Sequence, residues 1–321
     1  MSRHRLCSFG VKEQRGHHVS APLRWRVGDV TITRIVESGG ASAPLFASVP
    51  PTFPFSNLSA EAVQAQAWLK PHFATADGRL IASIHAFVVE SRGKTIVVDT
   101  CVGNDKLRDL PAWTRLSGPF LADFAAAGFA VDGVDAVLCT HLHSDHVGWN
   151  TRLADGRWVP TFPNARYLLS HVDYDGLALA DDDNSREVLA DSVAPVLEAG
   201  RVDWVDSSHA ITDEVRLEPT PGHTRGHVSV RIRSAGAEAV ITGDLMHHPI
   251  QCCDPRVESR FDADSEQAFA TRMRFLREQA DRDVLVLGTH FAAPTAGRIV
   301  SSGEAWRFDV PAAEDGATAA G

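Results

Sequence analysis

Basic side chains are in short supply: 31 Lys and Arg stand against 41 Asp and Glu, a formal net charge of −10. Binding to a phosphate backbone draws on clustered cations, so nucleic acid is not an expected partner. Long apolar runs are missing as well, and no stretch approaches the roughly 18 residues that a membrane span requires. The first 20 residues hold Arg and His without the apolar stretch of a secretory signal, which leads to the expectation of a cytoplasmic protein, not bound to a membrane, whose start at 1–20 is poorly ordered. Cysteine is limited to five; an odd number without an export signal points to reduced thiols, not a disulfide scaffold. Repeats at solenoid periods and long low-complexity linkers are also absent. What the chain has is size and apolar content, 321 residues at 44% hydrophobic, enough for a full core. The Ala/Gly-rich end at 311–321 reads as a loose tail.

Against that background one segment stands out. Residues 140 to 148 read Thr-His-Leu-His-Ser-Asp-His-Val-Gly, so that His141, His143, Asp145 and His146 crowd six positions directly after an apolar strand. His141 and His143 are two apart, and where the backbone is extended both imidazoles leave the same face and reach one cation. A turn at Ser144 would send Asp145 and His146 toward a second. Imidazole nitrogen and carboxylate oxygen suit borderline divalent metals such as zinc, manganese or iron.

One loop cannot furnish a dinuclear site, and three further donors sit at the ends of other predicted strands. His223 lies in Thr220-Pro221-Gly222-His223-Thr224-Arg225-Gly226-His227, a Pro/Gly-punctuated turn before the alternating run Val228 to Ile232. Asp244 follows Val240-Ile241 through Thr242-Gly243, and His290 closes Val284-Leu285-Val286-Leu287-Gly288-Thr289. Several strand ends delivering donors to one edge is how a rigid scaffold builds a site from loops.

In order and loop context this series resembles the metallo-β-lactamase superfamily, and within it the branch of lactonases and organophosphate hydrolases such as methyl parathion hydrolase. The resemblance runs from about Asp29 to about Val300. It implies an α/β fold, a four-layer αββα sandwich of two mixed sheets with helices on both outer faces, formed by one domain over 21–310 with the metals at one edge. It further implies that His141, His143 and His223 hold a first ion, that Asp145, His146 and His290 hold a second, and that Asp244 bridges both. The expected cofactor is a pair of divalent ions, zinc foremost, with manganese, iron and cobalt as alternatives.

The periodicity is compatible with that fold. Thr31 to Val36, Ile84 to Val89 and Thr95 to Val98 read as early strands, with Arg92-Gly93-Lys94 as a hairpin turn. Residues 185–199 carry helical apolar spacing at Val188, Leu189, Val193 and Val196, stopped by Gly200 and broken or kinked at Pro195. The clearest helix spans 265–280, where Phe269, Met273, Leu276 and Ala280 form a stripe and Asp264 with Gln267 reads as a capping box. Arg272, Arg274 and Arg277 are expected on its solvent side. The acidic run Asp181-Asp182-Asp183 reads as a solvated loop and helix start, and Cys252 and Cys253 as small buried residues near the Asp244 loop.

Several residues beside the donors bear on chemistry. His247, three positions after Asp244, stands where lactone-cleaving relatives carry a tyrosine that holds the substrate carbonyl; a histidine there can polarise the carbonyl or protonate the leaving group, or serve as a supporting side chain. His227 is expected to orient the turn of His223, and Asp99 either to orient a ligand imidazole or to cap a turn with Thr100. Residues 40–58, with Phe46, Phe53 and Phe55, and residues 102–120, with Trp113 and Phe120, read as long loops over the donor edge. Their aromatics suit an apolar substrate pocket, local packing or the contacts of a homodimer, and Trp149 is open in the same way. Two cations sharing a water bring its pKa toward neutrality and so supply a bridging hydroxide. The expected activity is therefore hydrolysis of a small-molecule lactone or carboxylic ester, with Asp145, Asp244 and His247 at the reacting centre. Phosphotriester or glutathione-thioester hydrolysis is the nearer alternative, and an iron-dependent sulfur or dioxygen oxidoreductase the alternative of another class.

Overall fold

Apolar side chains that alternate along each strand divide between two faces, and this division assembles the molecule. The computed structural model describes residues 22–310; the segments expected to be loose, 1–20 and 311–321, lie outside the described residues. A first sheet contains β1 (Arg24–Val27), β2 (Val30–Gly39), β3 (Ser83–Ser91), β4 (Lys94–Val98) and β5 (Ala136–Leu138). A hairpin of β6 (Thr151–Ala154) and β7 (Arg157–Pro160) stands apart, and β8 (Arg166–Ser170) and β9 (Val202–Val205) complete the sheet in the order β1-β2-β3-β4-β5-β8-β9. The second sheet runs in sequence order through β10 (Val215–Pro219), β11 (Val228–Ser234), β12 (Ala237–Ile241), β13 (Val284–Leu287), β14 (Ala296–Ser302) and β15 (Ala305–Asp309). Both sheets are mixed: β4, β5, β8 and β9 pair in parallel, as do β12 and β13, while the other pairs are antiparallel.

Phe87, Val89, Ile96 and Val98 face Val230, Ile232, Ala239 and Ile241 across the gap between the sheets. Their neighbours Val88, Val97 and Val137 point outward, onto the helix Phe120–Ala126 and the helical segment around Val188 to Val196. On the opposite outer face Val240, Val284 and Val286 pack on Phe275 and Leu276 of the helix Ser265–Gln279. The result is the four-layer αββα sandwich. Among the described residues no helix is long and apolar enough to cross a membrane.

The expected early strands lie within β2, β3 and β4, and the turn between the last two is the pair Arg92-Gly93, both with positive φ as a two-residue hairpin requires. The 185–199 helix is interrupted: Asp183–Val188 and Ala194–Glu198 flank a π-helical turn at Leu189–Val193, and Pro195 sits in the first turn of the last piece, where no N–H is needed. Asp264 caps the helix Ser265–Gln279 by accepting from the Gln267 N–H at 2.9 Å. Its buried face is rotated from the expected stripe: Leu276 is buried, whereas Phe269, Met273 and Ala280 are only half-buried and Thr271, Arg272 and Phe275 take the inner positions. Arg272 corrects the expectation of a solvent-facing charge. It is 1% exposed, and its guanidinium donates to the carbonyls of Leu245, Pro255 and Val257 at 3.1, 2.7 and 3.1 Å. Loop carbonyls left inside the fold need a donor, and a planar fork supplies several at once. Arg274 and Arg277 are exposed as expected.

Candidate metal centre

Parallel strands expose their carboxyl ends at one rim, and the donors leave from those ends. β5 runs into Thr140-His141, β10 into Thr220 and His223, β12 into Thr242-Gly243-Asp244, and β13 into Gly288-Thr289-His290. The loops fit tightly. A Cβ on Gly148 would stand 1.9 Å from the Val102 carbonyl oxygen, and Gly243, at φ +55°, leaves no room for one against His227 Nε2. The chain turns after His143, whose carbonyl accepts from the His146 N–H at 3.0 Å, and the two halves of the motif separate there. His141 and His143 do converge, but through different ring nitrogens and not from extended backbone.

All seven sequence-predicted donors meet. His141 Nε2, His143 Nδ1 and His223 Nε2 lie 2.9 to 3.2 Å from one another. Asp145, His146 and His290 form a second group, with His290 Nε2 3.3 Å from His146 Nε2 and 3.6 Å from Asp145 Oδ2. Asp244 lies between: its Oδ2 is 3.4 Å from His223 Nε2 and 3.3 Å from His146 Nε2, and its Oδ1 is 3.1 Å from His290 Nε2.

The surrounding hydrogen bonds decide which nitrogens carry protons. Thr140 donates its hydroxyl to Asp99 Oδ2, so the same oxygen can only accept from His141 Nδ1. His223 Nδ1 faces Asp262 Oδ1 at 2.9 Å, His290 Nδ1 faces the Ser83 carbonyl at 3.1 Å, and His146 Nδ1 lies 3.0 Å from Asp99 Oδ2. The outer nitrogens of His141, His223 and His290 are thus donors, and wherever these rings are neutral they present bare lone pairs to the centre. His141 Nε2 and His223 Nε2 then meet lone pair to lone pair at 3.2 Å. Such a donor set fits divalent cations, with carboxylates and carbonyls fixing the outer nitrogens.

Burial pushes His141, His143 and His223 below the ordinary imidazole range, His143 to about 4, so these three are uncharged at neutral pH. At His146 and His290 burial acts in the same direction, but Asp244, Asp145 and, for His146, Asp99 outweigh it and the net shift is upward. Asp244 is held well below the usual carboxylate range because His146, His290 and His247 overcome the effect of its burial.

His227 does not join either group. Its Nε2 accepts from the Asp244 N–H at 2.8 Å and its Nδ1 meets Thr220, so it fixes the Asp244 loop as well as the His223 turn. Asp99 takes the first of its two expected roles, approaching His146; it accepts from the Thr140 N–H at 2.8 Å, while Thr100 donates to the His146 carbonyl and does not pair with Asp99. His247 Nε2 lies 3.2 Å from Asp244 Oδ2 and 3.4 Å from Ser259 Oγ, and its ring stacks on His290. Five of the donors, His143, Asp145, His223, Asp244 and His290, floor a cleft of about 290 Å³, walled by Phe46, Phe53, Ile84, Trp113 and Phe261 and also touched by His247. Of the other expected aromatics, Phe55 and Phe120 belong to the packed cores, Phe120 stacking on the buried Trp149. Cys252 is buried against Met246 and Cys253 is half-buried; neither joins a donor group. Asp182 caps the helix Asp183–Val188 in solvent.

Four supporting groups escaped the sequence. Asp262, holding His223, is pushed up by burial against the opposing pull of His247 and Arg272, whose Nη2 stands 3.8 Å from its Oδ2. Only its place just before the Asp264 cap marks it in sequence. Glu37, projected by the bulge in β2 between Val36 and Ser38, accepts from the N–H groups of Val102 and Gly103 and from Trp149 Nε1. Lys106 and Arg108 of the 102–120 loop both end on Asp191, inside the π-helical turn. That turn carries the Asp191 carboxylate in a buried position, 3% exposed.

Comparison with known proteins agrees with this arrangement. Residues 82–290 match the family model for the metallo-beta-lactamase superfamily. The chain superposes on the crystal structure of hydrolase AbOPH in the beta lactamase superfamily with a TM-score of 0.74 at 23% identity, covering 93% of this chain and all of that one. On AidC, described as a dizinc quorum-quenching lactonase, the TM-score is 0.71 at 19% identity, covering 92% and 99% of the two chains. A short stretch of 38 residues is 55% identical to ribonuclease Z of Mycobacterium sp. (strain KMS), so the chain spans only 13% of that relative's length. Since the family match encloses all seven donors within a sandwich shared with these structures, the chain belongs to the metallo-beta-lactamase superfamily.

Proposed function

We propose that the protein is a dinuclear metal-dependent hydrolase that opens a lactone or a related carboxylic ester. The observation that carries this reading is the placement of Asp244 between two donor groups, within reach of His223 and His146 through one oxygen and of His290 through the other. His141, His143 and His223 would hold one ion, Asp145, His146 and His290 the second, and Asp244 both, with zinc favoured by the nitrogen and oxygen donors. Ions bound there would supply an activated water at neutral pH and polarise the scissile carbonyl.

The chain's own residues do the rest. Phe46, Phe53, Trp113 and Phe261 exclude water from the cleft and favour an apolar substrate over a strongly charged one. His247 reaches the cleft beside Asp244 and is the side chain we assign to the substrate carbonyl or the leaving oxygen. Asp262 and the Ser83 carbonyl accept from the outer nitrogens of His223 and His290, which turns their inward nitrogens to the centre, and Asp99 stands beside the outer nitrogen of His146. The test is metal analysis together with a panel of lactones, aryl esters, phosphotriesters and glutathione thioesters. Two ions per chain and chelator-sensitive turnover of the lactones or esters are expected. Turnover confined to another class would move the substrate assignment, and one iron per chain with oxygen consumption would sink hydrolysis.

A further inference from the structure

On the other side of His143 from the aromatic cleft lies a second hollow, of about 490 Å³. The two are lined in common only by His143 and Ser185. The helix His171–Leu179 forms one wall through Val172, Gly176, Leu177 and Leu179, with Leu142 and Ala263 opposite. The carboxylates along this wall are engaged elsewhere: Asp173 accepts from the Gly226 N–H and the Thr224 hydroxyl, and Asp175 pairs with His171 at 3.1 Å. What remains toward the hollow is mainly hydrocarbon, with the exposed Arg225 as its one cationic lining residue among the described residues. Val172 is 54% exposed and Leu179 85% exposed, unusual for large apolar side chains gathered beside one cavity.

We propose that this hollow is a second arm of the substrate site and takes an unbranched apolar chain whose carbonyl end lies at the donor cluster. The substrate would then be a long-chain ester or lactone, not a compact one; this rests on the hydrolase reading above. The shared wall of His143 and Ser185 names the occupant: a group that passes these two residues into the hollow belongs to a molecule already bound at the donors. A polymethylene chain covers Val172, Leu177 and Leu179 without requiring polar partners. Each methylene fully buried there raises affinity about fourfold, and about twofold where the groove leaves it half in water.

Gly176 provides the means of testing this. A Cβ at Gly176 meets nothing within 4 Å, so Gly176→Leu fills the hollow while giving the helix a better helix former. The zinc-loaded full chain is assayed with p-nitrophenyl butanoate and p-nitrophenyl decanoate, and the binding of butanoate and decanoate anions is followed by calorimetry. The wild type should favour the ten-carbon chain by more than tenfold in both kcat/KM and affinity. Gly176→Leu should abolish that preference, keep the four-carbon values within about threefold and not lower the unfolding temperature; Leu179→Ser, which changes an exposed position, should reduce the preference in the same direction. Equal affinity for the two anions, or a preference that survives Gly176→Leu, overturns the proposal. Chain-length-dependent anion binding without turnover of either ester would uphold the groove and refute the ester reading.

Discussion

Asp262 is the sharpest single test of how the first donor group is held. Its Oδ1 lies 2.9 Å from His223 Nδ1 and its Oδ2 3.8 Å from Arg272 Nη2, with both the carboxylate and the guanidinium side chains 1% exposed. Asp262→Ala removes the acceptor that keeps the His223 proton on the outer nitrogen. Loss of such a partner typically lowers metal affinity 10- to 100-fold, or about 1.4 to 2.7 kcal/mol. The same change leaves Arg272 without a carboxylate. Breaking a buried pair costs about 3 to 5 kcal/mol, and because Arg272 keeps three carbonyl acceptors the lower end, about 3 kcal/mol, applies to the metal-free fold. Asp262→Asn separates the two effects, since an amide oxygen still accepts from His223 while the charge is gone; its metal-affinity loss should stay within about tenfold. Competition with a chromophoric chelator reads the affinity of each ion, and urea unfolding of the metal-free protein reads stability. Unchanged affinity of the first ion in Asp262→Ala, or an equal loss at both ions, would refute the reasoning.

Other changes have distinct signatures. Asp244→Ala should lower metal content toward one ion or none, read by elemental analysis after gel filtration, before any effect on folding is seen. His247→Ala should keep both ions and reduce kcat about 10²- to 10⁴-fold if its ring serves as a general acid or base; unchanged kcat/KM would assign it to support alone. Asp191→Ala leaves Lys106 and Arg108 buried without their carboxylate, and should cost about 3 to 5 kcal/mol in denaturant unfolding, with KM raised as the 102–120 loop loosens. Burial pushes Asp173 up to about 6 against the hydrogen bonds it accepts from Gly226 and Thr224. A folded-state pKa above the unfolded one means the folded protein binds the proton more tightly. The contribution of Asp173 to stability should therefore grow as pH falls from about 7 toward 4, by on the order of 1 to 3 kcal/mol, and it is read as the pH-dependent difference between the metal-free unfolding curves of the wild type and Asp173→Asn.

The seven donors were legible because each is a ligand-type residue at the end of a strongly apolar strand, and four of them are crowded into one loop. The β-sheets were legible for a related reason: Val- and Ile-rich runs leave little alternative to a strand buried on both faces. The supporting residues have no such local signature. Asp262 meets His223 across 39 positions, Arg108 meets Asp191 across 83, and Trp149 meets Glu37 across 112. Arg272 was misplaced because a helical pattern treats every arginine as solvated. Pattern registers the helix's own residues, while the carbonyls of Leu245, Pro255 and Val257 that draw the guanidinium inward become neighbours only in the folded chain. The π-helical turn at Leu189–Val193 was hidden for the same reason, since the carboxylate it carries answers to cations on a distant loop.

The order of the donors along the chain sets a timetable for synthesis. His141, His143 and His223 are all present once residue 223 has emerged, whereas the group containing His290 waits for β13, which supplies the strand leading into it. A nascent chain stalled between these points would hold the first three imidazoles without His290, and until residue 262 is made His223 would also lack the carboxylate on its outer nitrogen. Two cations would therefore have no need to be loaded together, since the late stretch of chain that completes the second sheet also brings His290 to the second donor group.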